Sequence, residues 1–222
     1  MSSGFIGMET AATLSLRAKR LYAGAGGFSA RLQILRPYIC PFELIVPHVP
    51  AGAAVLDVGC GAGLFIGLLA DSGRISSGLG FDSSGSAIGL ARQMAKNLSA
   101  NAVVAFRQID ARAAWPSETV DVVSLVDVLH HVPVQSQLSV LSQAVARVRP
   151  GGLLLYKDMA ERPYWRALFN RIHDLLLARE WIHYLPIASV EKHLLAQGMR
   201  QVSSGSAARY WYAHEWRIFQ RL

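Results

Sequence analysis

The chain has 222 residues and a formal net charge of +7, with 52% apolar and 17% charged side chains and a mean hydropathy of +0.27. That much apolar material fills the core of one domain and excludes a chain left disordered for want of burial. Two cysteines, Cys40 and Cys60, cannot build a disulfide framework and lack zinc-ligand spacing, so they read as free thiols of a cytoplasmic protein.

Charge is unevenly placed along the chain. Residues 1–50 carry +3, residues 51–158 are neutral and residues 159–222 carry +4. The cations are scattered, with no cluster longer than Arg17–Arg20, so they set up little directed field and no nucleic-acid partner is expected. An acidic carrier or peripheral membrane contact stays open. The start, Met1 to Glu9, is Ser/Gly-rich rather than basic and apolar, so no export signal is read there. The most apolar segment, Val55–Ala70, is broken by Asp57, Gly59, Gly61, Gly63 and Gly67, which is poor material for a membrane span.

Glu9 to Tyr22 has helical spacing and runs into a Gly24-Ala25-Gly26-Gly27 joint. A second helical stretch starts at Ser29 and is interrupted by Pro37 and Pro41. Short buried-strand patterns follow at Ala53–Val58, Gly78–Phe81, Val103–Gln108, Val120–Val126 and Leu153–Lys157. Between them lie helical patterns at Leu64–Asp71, Ser84–Leu98 and Val134–Val148. Near-continuous apolar strands alternating with helices predict an α/β, doubly wound fold with a parallel sheet covered on both faces. Past Lys157 the pattern changes to a long amphipathic stretch, Tyr164–Trp181, and a short helix, Ser189–Gln197. Two strands end the chain, Met199–Ser204 and Arg209–Phe219, with Ser203-Ser204-Gly205-Ser206 read as the turn near their junction.

The most specific signal is Val55-Leu56-Asp57-Val58-Gly59-Cys60-Gly61-Ala62-Gly63, a strand feeding a glycine-rich turn and then a helix. Alternate glycines let backbone approach a ligand closely. A dinucleotide fingerprint would place its third glycine at position 64, where this chain has Leu64. The second strand ends in Gly80-Phe81-Asp82, and a carboxylate there can accept from both hydroxyls of a ribose. These features point to a nucleoside without saying which one.

Here the chain resembles the class I S-adenosylmethionine-dependent methyltransferases over about residues 50–160. The glycine turn matches that family's first motif, Phe81-Asp82-Ser83 its acidic ribose site, and Gln108-Ile109-Asp110-Ala111 its adenine-contacting loop. The run Asp121 to Pro133 looks like its fourth strand and following loop, especially in the quinone-biosynthesis branch, and Arg149-Pro150-Gly151-Gly152 like the turn before its fifth strand. The resemblance implies a single domain of seven mostly parallel strands with an antiparallel last strand. Residues 1–50 would form a helical lid, 51–160 the cofactor-binding core, 161–186 a substrate cap, and 187–222 the elements completing the sheet.

The resemblance also implies roles. Asp57 and the backbone of Gly59, Cys60, Gly61 and Gly63 would hold the methionine part of S-adenosylmethionine, and Asp82 the ribose, with Phe81 and Ser83 beside it. Asp110 and the Ala111 N–H would read adenine, and Val126 and Asp127 would line the methionine end. Asp57, Asp110 and Asp127 also admit the reading of ordinary cap or turn acids, and Cys60 that of a small apolar filler. The adjacent pair His130-His131 completes no ligand set, so no metal is expected. If the acceptor is a phenol or enol, His131, then His130, is the general-base candidate. Tyr22, from the lead-in helix, and Trp165, His173, His183 and Tyr184, from the cap, would surround a small acceptor. That acceptor is read as aromatic, quinone-like, polyketide or lipid-like, free or carrier-bound, and methylated on oxygen or carbon. A nucleic-acid or protein methyltransferase, or a binding protein without catalysis, is the alternative; oligomeric state stays open.

Overall fold

The computed structural model describes residues 9–99, 102–160, 183–210 and 212–222. Trp165, His173 and the amphipathic stretch Tyr164–Trp181 lie outside the described residues. The elements are helices α1 (Ala11–Leu21), α2 (Phe28–Ile39) and α3 (Phe42–Ile45), strand β1 (Ala53–Val58), helix α4 (Leu64–Asp71), strand β2 (Ile75–Asp82), helix α5 (Gly85–Ala95), strands β3 (Val103–Gln108) and β4 (Val120–Val126), helix α6 (Val134–Arg147), strand β5 (Val148–Met159), helix α7 (Ile187–Ala196) and strands β6 (Met199–Arg209) and β7 (Tyr212–Arg221).

The seven strands form one sheet in the order β3-β2-β1-β4-β5-β7-β6. Strands β1 to β5 pair in parallel, and β7 runs antiparallel to both its neighbours. The β1 and β4 sequences are almost wholly apolar because helices cover both faces of the sheet. One core lies under α1, α4 and α5 and includes Leu14, Leu21, Ile66, Leu69, Ile88 and Met94. The other lies under α6 and α7 and includes Phe81, Leu125, Val140, Leu141, Leu194 and Phe219. β1 pairs with β2 on one side and β4 on the other, so the winding reverses between β1 and β4. A crevice at the carboxyl ends of the strands belongs there by topology.

Two expectations are corrected. Helix α2 runs through Pro37 instead of stopping at it. The proline removes its own bond to the carbonyl four residues back, but it sits two residues from the helix end and the Cys40 N–H still closes the last turn on the Arg36 carbonyl at 2.8 Å. Ser203-Ser204-Gly205-Ser206 is the middle of β6, and the reversal comes later, beside Tyr210 with φ +53°. Gly205 pairs with Trp216 across the ladder, and a Cβ on it would stand 2.1 Å from the indole. The glycine is there to admit a ring, which is why a turn-like composition occurs inside a strand.

Candidate active site

β1 ends at the glycine turn, where two positions require glycine on steric grounds. Gly59 has φ +65°, and a Cβ on it would lie 2.0 Å from Cγ2 of Val128 in the loop after β4. Gly63 has φ +82°, and its Cβ would lie 2.7 Å from the Phe106 ring. The turn is fastened to the tip of β2. Gly61 N–H donates to Asp82 Oδ2 at 2.9 Å, Ser84 N–H donates to Asp82 Oδ1 at 2.8 Å, and Cys60 N–H donates to the Phe81 carbonyl at 2.9 Å. Each Asp82 oxygen therefore accepts one main-chain donor and keeps acceptor capacity for a second.

Asp82, Ser83, Gly59, Gly61, Asp110 and Ala111 line one end of a cleft of about 920 Å³, and Asp127, His130 and His131 line it further along. Phe81 faces elsewhere: its ring is buried against Trp115, with centroids 5.1 Å apart, and only its backbone meets the turn. Asp57, Cys60 and Val126 line a small recess behind Gly59 together with Arg36. Asp57 is buried beside its sheet partner Ser124, whose Oγ donates to Asp57 Oδ1 at 2.6 Å. Burial pushes the Asp57 carboxyl up to about 7 against the lowering effect of that bond. Burial likewise raises the Cys60 thiol, followed by the charges of Asp57 and Asp82, so it is no nucleophile at neutral pH.

Asp110 forms a two-pronged ion pair with Arg112, Nε to Oδ1 at 2.9 Å and Nη2 to Oδ2 at 2.6 Å. That hydrogen bonding brings its carboxyl down to about 2. Tyr22, expected beside the acceptor, instead supports the glycine turn from behind: it is buried outside the cleft lining, and its hydroxyl donates to the Ala62 carbonyl at 2.7 Å inside that turn. The joint after it is tied down too, because Asn97 donates to the carbonyls of Leu21 and Ala23 and Gln93 to that of Gly24.

At the ends of β4 and β5 lies a cluster of ionisable groups. Asp127 takes φ +54°, a strained conformation for a residue with a Cβ. Its Oδ1 accepts from Nζ of the fully buried Lys157, and Arg36 Nη2 from α2 lies 3.5 Å from its Oδ2. Burial alone would raise the Asp127 carboxyl, but Lys157 and then Arg36 outweigh it and hold it well below the usual range. Next to this cluster, His130 is buried with Nδ1 hydrogen-bonded to Asp158 Oδ1. His131 is exposed on the cleft, its ring centroid 4.1 Å from that of His130. The loop carrying both is clamped by the buried Gln137, whose Nε2 donates to the carbonyls of Leu129, Val132 and His183. His183 donates its backbone N–H to the His130 carbonyl at 3.0 Å, and the Tyr184 ring stands 6.0 Å from that of His130.

Sequence reading missed Arg36, Lys157 and Asp158. For the last two a signal existed: consecutive charges at the carboxyl end of an apolar parallel strand are out of place unless they serve a site there. Arg36 gave none, being one of two arginines on α2. Among the described residues no group of three or more His, Cys, Asp or Glu side chains could hold a metal ion. No described helix is long and apolar enough to cross a membrane.

Ubiquinone biosynthesis O-methyltransferases are similar over about half of this chain: that of Pseudomonas fluorescens strain SBW25 is 33% identical over 115 residues, 51% of this chain and 47% of its own length. That of Methylococcus capsulatus is 33% identical over 111 residues, 49% of this chain and 44% of its own. The chain thus spans about half the length of these curated relatives. Among solved structures, magnesium protoporphyrin IX methyltransferase from Synechocystis PCC 6803 with bound SAH superposes with a TM-score of 0.69 at 20% identity, over 93% of each chain. The SAH complex of the N-methyltransferase NodS from Bradyrhizobium japonicum gives 0.63 at 18% identity, over 94% of this chain and 98% of that one. A family model for a methyltransferase domain matches residues 35–204, so the chain belongs to the methyltransferase domain family.

Proposed function

We propose that the protein transfers a methyl group from S-adenosylmethionine to an oxygen or carbon of a small apolar acceptor. The observation that carries this reading is Asp82, fixed at the switch point by the N–H groups of Gly61 and Ser84 with an acceptor lone pair on each oxygen still available. That is what binding two vicinal sugar hydroxyls requires. Arg36 supplies the cation for the amino-acid carboxylate, beside the recess that holds Asp57. The adenine end falls to the backbone of Ile109 to Ala111, since each Asp110 oxygen already accepts two donors from Arg112, Oδ1 from its backbone N–H and Nε and Oδ2 from Nη2 and Nε.

The sulfonium supplies an activated methyl group, so the chain's task is alignment, exclusion of water and handling of one proton. Positioning alone supplies up to roughly 7–11 kcal/mol in favourable systems. His130 is the base we assign for a hydroxyl acceptor. Asp158 holds its Nδ1, fixing the tautomer and ring orientation, so proton exchange with the acceptor falls to Nε2. His131, exposed at the cleft, is placed to contact the acceptor's outer edge. The cleft, at about 920 Å³, is at the upper end of the roughly 300–1,000 Å³ usual for ligand pockets and has room for a donor and an acceptor together.

The test is thermal denaturation with S-adenosylhomocysteine. The wild type gains stability by mass action, NAD leaves it unchanged, and Asp82→Ala removes most of the gain. An undiminished shift in Asp82→Ala would take that carboxylate out of the nucleoside site.

A further inference from the structure

We propose that Gln33 and His214 form an acceptor subsite on the wall between α2 and β7, which anchors a hydroxyl or carbonyl of an uncharged, ring-bearing acceptor at a point apart from the reacting atom. The inference rests on the methyltransferase reading and deepens it.

Two elements build the wall. Leu32, Gln33, Arg36 and Ile39 line the cleft from α2, at the one-, four- and seven-residue intervals of a single helical face, and Cys40 lines it from the helix C-cap. Tyr212 and His214 line it from β7, two residues apart and hence on the same face of the strand. Their rings lie stacked, with centroids 6.0 Å apart and planes at 22°. Met159, the sheet partner of His214, completes the floor. Apart from Arg36, whose charge is directed to Asp127 and, in the reading above, to the donor's carboxylate, the surface is apolar, aromatic or neutral, as suits a flat ring.

On this wall the hydrogen-bonding account is left open. His214 is 1% exposed, and neither of its ring nitrogens has a hydrogen-bond partner. The Ile39 carbonyl approaches the ring closely enough to favour a proton there, but no bond of ordinary geometry forms. Gln33 Oε1 is buried and equally unpartnered. Buried polar atoms are nearly always satisfied, and exceptions call for a reason. Here two lie on one cleft and are complementary: Gln33 Oε1 accepts only, whereas a neutral imidazole offers one donor and one acceptor. Burial, followed by the charge of Lys157, brings the His214 pKa down to about 3, so the ring is neutral at working pH. A neutral ring offers a carboxylated acceptor no counter-charge, whereas a phenolic hydroxyl can both donate to Gln33 and exchange a hydrogen bond with His214.

The test is calorimetric titration of the full chain, saturated with S-adenosylhomocysteine, using 4-hexylresorcinol and 4-hexylphenol. The second probe keeps the ring and tail with one hydroxyl fewer. In the wild type the resorcinol binds about tenfold more tightly, the size of one well-made hydrogen bond. In His214→Phe and in Gln33→Leu the preference falls to about twofold or less, while S-adenosylhomocysteine affinity is unchanged. In ¹⁵N-histidine spectra of the wild type, the His214 resonances move on adding the resorcinol. Equal affinities for the two probes in the wild type, no binding of either, or a preference that survives both substitutions overturns the subsite. Should His214→Phe fail to fold, Gln33→Leu at a half-buried position decides. A wild type that does not bind S-adenosylhomocysteine would instead overturn the methyltransferase reading.

Discussion

Lys157→Met removes the cation that balances Asp127 at the cleft floor while keeping most of the side-chain volume. Lys157 is fully buried, and its Nζ bonds the Asp127 carboxylate, which is itself only 9% exposed. Once the ammonium is gone, Asp127 retains Arg36, but at 3.5 Å and with a side chain 34% exposed, so the remaining compensation is weak. Breaking one partner out of a buried pair costs about 3–5 kcal/mol. For a chain of this size each kcal/mol moves Tm by roughly 2–4 °C, giving an expected drop of roughly 6–20 °C at pH 7. The pH dependence gives the cause. In the wild type the folded carboxyl of Asp127 is depressed, so its contribution is complete above the unfolded value near 3.8 and is lost only as pH falls through the folded value. In Lys157→Met, burial would raise that carboxyl, so the variant would suffer more as pH climbs and the gap from wild type would widen between pH 4 and 7. Urea denaturation at several pH values measures both effects, and Asp127→Asn added to Lys157→Met should recover most of the loss. A cost under about 1 kcal/mol, or one independent of pH, would refute the view that this buried pair holds the site.

Asp57 behaves oppositely. Its folded carboxyl is raised to about 7, so its favourable contribution is present below the unfolded value near 3.8 and is lost as pH rises towards and through 7. Asp57→Asn should therefore gain on the wild type in Tm between pH 5 and 8, as followed by scanning calorimetry. Asp158→Asn keeps the shape of the His130 partner but not its charge, and kcat on a hydroxyl acceptor should fall about 10²–10⁴-fold with S-adenosylhomocysteine affinity intact. A pH–rate profile unchanged in that variant would dismiss His130 as the base.

What the sequence disclosed is what local chemistry dictates. The glycine turn, the acid ending the second strand and the strand–helix alternation are each written in a few neighbouring residues, because a tight turn and a doubly covered strand constrain composition where they occur. The turn between the last two strands was misread because the requirement on Gly205 comes from Trp216, eleven positions on. The acceptor side was harder still. Asp158 and His214 acquire meaning only when β5, β7 and the loop after β4 meet at the cleft. No periodicity marks Arg36 or His214, since each is one polar residue among several on an element whose spacing is set by the core. The donor end is thus encoded along the chain, and the acceptor end across it. A relative can keep the first in recognisable form while changing the second one side chain at a time, so the unpartnered atoms of Gln33 and His214 say more about this chain's own acceptor than its glycine turn does.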